Sequence, residues 1–200
     1  MKISSLSLQL VAVTVLTTGA AWAQNTPAEQ DQQRDVNQQQ RIEQGLQSGQ
    51  LSTKEAGQLE RQQQHVDNME ARDMKNGPMT AEEQRKLDAA QNHASNSIYA
   101  DKHNGVTGNP NSASSQRMQA DVQRNVNQQQ RIQNGMDNGS LTRHEAGSLE
   151  KGQAHVNRRE ANAAANGHVG ASEQRRIQGS ENHQSNRIYR KKHNGVTKTG

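Results

Sequence analysis

A turn glycine, an apolar residue and a helix start recur four times along this chain, which commits it to short helices joined by tight turns. The copies run Gly49 to Glu55, Gly77 to Glu83, Gly139 to Glu145 and Gly167 to Glu173. In the first three, Ser52, Thr80 or Thr142 can accept a hydrogen bond from the backbone N–H three residues on. Glu55, Glu83 or Glu145 can reach back to the cap residue's own N–H, completing a capping box. Each glutamate also sits at the positive end of its helix dipole. Leu51, Met79, Leu141 and Val169 precede the cap, where an apolar side chain staples the first turn. The glycines supply the positive φ that ends the helix before. Thr26-Pro27-Ala28-Glu29 adds a fifth start, with proline at the first helical position.

Residues 34–107 match residues 124–197 at a constant offset of 90 without a gap, and 39 of the 74 positions are identical. Within each copy the helix start repeats after 28 residues. Helices are expected from about Thr26 to Ser48, Ser52 to Lys75 and Thr80 to His103, and again in the second copy. Sparse apolar positions at spacings of three, four and seven give each a narrow, coiled-coil-like face. The expected fold is all-α: two tandem three-helix units, each an antiparallel hairpin or bundle. The Gly, Asn, Ser and Pro content of 105–118 reads as a flexible linker between unit 24–104 and unit 119–194, with 195–200 a disordered tail. Gly170 replaces the cap residue Thr80, Gly152 and Gly179 fall inside helices, and Ala90 and Ala94 become Ser180 and Gln184. Each helical glycine costs about 1 kcal/mol relative to alanine, so residues 121–197 are expected to fray first.

Residues 1–23 read as a secretory signal peptide: a short basic start at Lys2, an apolar run from Leu8 to Leu16 and Ala21-Trp22-Ala23 before Gln24. The mature chain is thus expected to be periplasmic or secreted, with no later segment apolar enough to span a membrane. The absence of cysteine excludes disulfides, thiolate metal sites and a cysteine nucleophile. At 28% apolar residues and 2% aromatic, only a thin core of Leu, Ile, Val, Met and Ala is expected. Residues 24–110 carry 9 basic and 13 acidic side chains, a balance of −4, against 14 and 7, a balance of +7, in 111–200. Either the halves attract each other, within a chain or by self-association, or the second faces an anionic partner.

The run Asn37-Gln38-Gln39-Gln40-Arg41-Ile42, then Gly-x-Leu-(Ser/Thr)-x-x-Glu-Ala, then Ile98-Tyr99-x-x-Lys102-His103-Asn104, resembles a set of small exported bacterial helical-repeat proteins. The likeness covers both copies and implies export and a helical fold, and it implies no activity.

The turns also resemble degenerate EF-hand loops, with Gly77 as sixth residue and Glu83 as twelfth. The first and third ligand positions then fall on Arg72 and Met74, which cannot coordinate calcium, so a calcium site is disfavoured. The other loops fail similarly, at Gln44 and Leu46, Asn134 and Met136, and Asn162 and Ala164. His65, His93 and His103 recur as His155, His183 and His193. Antiparallel helices would bring His65 and His93 to similar heights, compatible with an imidazole site for zinc, copper or nickel; no established ligand spacing accompanies them, and exposed polar positions on glutamine-rich helices explain them better. No nucleophile elbow or phosphate loop is present, and helix capping accounts for the periodic glutamates. The expectation is a non-enzymatic binding or interaction protein of the cell envelope. Arg175, Arg176, Arg187, Arg190, Lys191 and Lys192 form a positive stretch for an anionic partner, with Tyr189 the one residue there able to stack on a base.

Overall fold

A computed structural model describes residues 26–196, so the expected signal peptide of residues 1–23 and the end of the expected tail lie outside the described residues. The chain forms α1 (Pro27–Ser48), α2 (Thr53–Asp73), α3 (Ala81–Lys102), α4 (Ala113–Asp137), α5 (Arg143–Ala163), a short 3-10 turn (Ala164–Asn166) and α6 (Ala171–Lys192). Capping boxes start the helices where the sequence places them. Glu29, Ser52 and Thr80 mark three of them, the glutamate of each box accepting from the cap N–H at 2.7, 2.9 and 2.8 Å. Thr142 N–H donates likewise to Glu145 at 3.1 Å, and Gly170 keeps half the device, its N–H donating to Glu173 at 2.8 Å. Leu51, Leu141 and Val169 are buried as staples. Gly49 and Gly139, both at φ 74°, turn the chain out of α1 and α4.

The two copies are not separate bundles. The most extensive packing is of α2 on α5 and of α1 on α4, each helix against its counterpart 90 residues on. Gly57, near the start of α2, lies against Ala164 just past α5; Gly147, near the start of α5, lies against Met74 just past α2. The pair is therefore antiparallel and related by an approximate two-fold axis. The same holds for α1 and α4: Ile42 and Leu46 cluster with Met118 and Val122, and Ala28 clusters with Ile132 and Met136. α3 covers α1 and α2, and α6 covers α4 and α5. Two apolar clusters, each built from both copies, close the two ends of this four-helix centre.

The expected linker is correspondingly shorter. Ser112 caps α4 by accepting from Ser115 N–H at 3.1 Å, and Met118 is fully buried, so residues 113–118 belong to the helix. Gly108 N–H donates to the Gly49 carbonyl at 2.8 Å, which pins the connection to the first turn. Because α4 and α5 supply half of the common core, the packing gives no reason for residues 121–197 to open as a unit before the rest. Gly152 also has a purpose: a Cβ there would run into the Gln184 and Arg187 side chains, where the first copy pairs Gln62 with the smaller Ala94 and Ser97 at the equivalent positions.

Candidate functional site

Between the two apolar clusters, the interior of the four central helices is polar. On α2 the inward positions at alternating steps of four and three are Ala56, Glu60, Gln63, Asp67, Glu70 and Met74; on α5 they are Ala146, Glu150, Gln153, Asn157, Glu160 and Ala164. The amides are donors to the carboxylates. Gln39 Nε2 donates to Glu60 at 3.0 Å and Gln129 Nε2 to Glu150 at 3.1 Å. Gln32 Nε2 donates to Glu70 at 3.0 Å and Asn125 Nδ2 to Glu160 at 2.7 Å. Among the described residues no lysine or arginine forms an ion pair with Asp35, Glu60, Asp67, Glu70, Glu150 or Glu160. Removal from water therefore dominates. It pushes Asp35 up to about 7 and Glu60 and Glu150 up to about 8, and drives Asp67, Glu70 and Glu160 well above the usual carboxylate range. Asp121 rises to about 7 and Glu181 to about 8 for the same reason, although Arg124 Nε lies 3.1 Å from the Glu181 carboxylate.

Three of these acids converge. Asp35 on α1 and Asp67 and Glu70 on α2 each place a carboxylate oxygen within 4.8 Å of the other two. The equivalent residues of the second copy are Asn125, Asn157 and Glu160, where two amides replace two acids. The thin core of Leu, Ile, Val, Met and Ala expected from composition does not include this interior. The readable signal was the four-three spacing, which continues through polar residues between apolar ends.

The second feature is an open cleft of about 630 Å³ between α5 and α6. Lys75, Lys151, Arg159, Arg176 and Arg187 line it together with His155 and His183, and no Asp or Glu does. Gly152, Gly179 and Ser180 form its lower wall in place of Gln62, Ala89 and Ala90 of the first copy, while Arg159 and Arg187 stand where the first copy has Met69 and Ser97. Lys75 apart, the cleft's chemistry belongs to the second copy. Arg187 is fixed there by donating to the Ser148 carbonyl at 2.6 Å and to Gln184 Oε1 at 3.2 Å. Partial burial, then Arg159, Arg158 and His183, hold His155 below the usual imidazole range. The local field is positive enough to oppose a further proton.

Of the expected anion-contacting residues, Arg176 and Arg187 line the cleft; Arg175, Arg190, Lys191 and Lys192 do not, and Lys192 donates to the Arg131 carbonyl at 3.2 Å. The expected histidine triads are not assembled. All six histidines are exposed, and among the described residues the group of three that could hold a metal is acidic. His103 and His193 are taken up locally: each imidazole stacks on Tyr99 or Tyr189 at 4.2 Å and hydrogen-bonds that tyrosine's carbonyl, one helical turn back. The Tyr189 ring offered to a base is therefore covered on one face by His193. Only His155 and His183 share a surface. Comparison with known proteins adds no relative: no family model, no curated protein and no solved structure matches the chain.

Proposed function

We propose that this is an exported, non-enzymatic helical binding protein of the bacterial cell envelope whose second repeat takes up a multivalent, phosphate-bearing anion between α5 and α6. The observation that carries this reading is the cleft itself, with five cationic side chains and two imidazoles converging on one concavity that no carboxylate lines. Uncompensated like charge held together in a concave site attracts counter-ions strongly and focuses the field on them. Arginine also offers paired donors that match phosphate geometry. Self-association between an acidic first and a basic second repeat is the weaker reading, since the two halves already meet within one chain. Binding of zinc, copper or nickel is supported only at the His155 and His183 pair, and there the surrounding cations oppose it.

Titration calorimetry of the full chain with tripolyphosphate tests the proposal. Binding at micromolar concentration in 50 mM salt, weakened at least tenfold at 200 mM and abolished by Arg159→Ala with Arg176→Ala, is expected. Equal binding by that variant, or no binding by the parent, removes the reading.

A further inference from the structure

We propose that Asp35, Asp67 and Glu70 form a binding site for one hard divalent cation of the magnesium, manganese or calcium class, inside the bundle and separate from the anion cleft. The geometry carries it. Three carboxylates from two helices bring one oxygen each within 4.8 Å of the others, a spacing that a cation with oxygen ligands at about 2.0–2.6 Å can bridge. All three residues are 0–1% exposed.

The hydrogen bonds around the triad leave the position for a cation open. Gln91 Nε2, from α3, donates to Asp35 Oδ1 at 3.1 Å and to Glu70 Oε1 at 3.3 Å. Gln32 Nε2 donates to Glu70 Oε2, and Asn157 Nδ2, from α5, donates to Asp67 Oδ2 at 2.8 Å. Asp35 and Glu70 stand close enough to share a proton when no cation is bound, and no amide or backbone N–H reaches Asp35 Oδ2 or Asp67 Oδ1, although both are shut away from water. A buried carboxylate oxygen without a donor is costly, and a cation between two of them removes that cost. The nearby groups are mostly acidic: Glu150 and Glu160 from α5, Glu60 from α2 and Asp31 from α1 disfavour further negative charge, and Arg34, beside Asp35 in sequence, opposes them.

The second copy is built differently at this place. Its Asn125 and Asn157 close the equivalent space with amides: Gln153 Nε2 donates to Asn125 Oδ1 at 2.8 Å and to Asn157 Oδ1 at 3.1 Å, and Asn125 donates to Glu160. On α6 Glu181 stands in place of Gln91, and Arg124 pairs with it at 3.1 Å. The first copy instead gathers its three acids with no ion-pair partner among the described residues, and an all-oxygen donor set selects hard cations over zinc or copper.

The experiment is to strip the full chain with chelator at pH 7 and measure metal content and thermal melting with manganese, magnesium or calcium added at 1 mM. One equivalent of metal and a Tm raised by about 5–10 °C are expected if the added ion reaches a hundredfold excess over its Kd. Asp35→Asn with Asp67→Asn places at the triad the two amides that the second copy carries there; it should fold and lose the response, while Glu160→Gln should keep it. Manganese electron paramagnetic resonance on the parent reads the bound ion without any variant. No bound metal and no shift in the parent with any of the three ions overturns the proposal, as does a shift that persists in the Asp35, Asp67 variant. Loss of the anion cleft by Arg159→Ala with Arg176→Ala should leave the metal response intact.

Discussion

Between pH 5 and pH 7 the chelator-treated protein should lose stability as the pH rises, the reverse of the behaviour expected where folded carboxylates are salt-bridged. The perturbation acts on the acids of the polar interior. Asp35 and Asp121 are held near 7 and Glu60, Glu150 and Glu181 near 8, by burial above all, whereas the same groups in the unfolded chain titrate near 4. The folded state therefore binds more protons than the unfolded state across this window. Its stabilisation is complete below about pH 4 and is lost as pH climbs towards 7–8. One such group changes the unfolding free energy by about 1.4 kcal/mol per pH unit. The acids are neighbours and do not titrate independently, yet a net uptake of only two protons gives about 2.7 kcal/mol per unit, a large share of a typical 5–15 kcal/mol. Glu55 and Glu145 work the other way, because hydrogen bonds from Asn104 and Ser52, or from Thr142 and Asn194, outweigh the burial that raises them; their effect falls at lower pH. The assay is urea unfolding followed by circular dichroism at pH 5, 6 and 7 and fixed ionic strength. Asp121→Asn should flatten the slope by about 1.4 kcal/mol per pH unit. Stability that is constant or rises from pH 5 to pH 7, or an Asp121→Asn slope equal to the parent's, would refute the reasoning.

The α2–α5 seam makes a paired prediction. A Cβ on Gly57 would lie 2.5 Å from Ala164 Cβ and one on Gly147 2.7 Å from Met74 Cβ, so Gly57→Val and Gly147→Val should each cost about 1–3 kcal/mol in urea unfolding, while Gly179→Ala, which meets nothing within 4 Å, should stabilise by up to about 1 kcal/mol. Gly152→Gln should destabilise alone and be rescued when Gln184→Ala and Arg187→Ser restore the first copy's set, a coupling of about 0.5–3 kcal/mol in a mutant cycle. Hydrogen exchange should show α1, α2, α4 and α5 sharing one high protection level; strong protection of α1 and α2 with early opening of α4 and α5 would mean that the copies fold separately.

The helices were legible because their signals are local. Caps, staples and turn glycines act within a few residues, and Thr26, Ser52, Thr80 and Thr142 all do in space what their spacing to a glutamate implies. Pairing was not legible, since a gapless repeat is equally compatible with two independent units and with two copies that complete each other; Gly57 and Gly147 decide it only once Ala164 and Met74 are seen beside them. The site was half legible. The charge asymmetry of the halves anticipated a basic surface on the second copy, but the cleft is built by Lys75, Lys151 and Arg159, from α5 and the first copy, as much as by α6. The buried acids fall outside the expected core of Leu, Ile, Val, Met and Ala. Continuing the four-three spacing from Ala56 to Met74 through Glu60, Gln63, Asp67 and Glu70 places them inside, and a chain so poor in apolar residues has few others to fill a centre with.

The anion cleft is tested most directly by nuclear magnetic resonance of the histidine side chains during titration with tripolyphosphate. The account predicts that the pKa of His155 rises as the anion neutralises Arg159, Arg176 and Arg187, and that at fixed pH the ring resonances of His155 and His183 move while those of His65 and His93 of the first copy do not. An unchanged His155 titration, or equal movement of the resonances of all four rings, would contradict it.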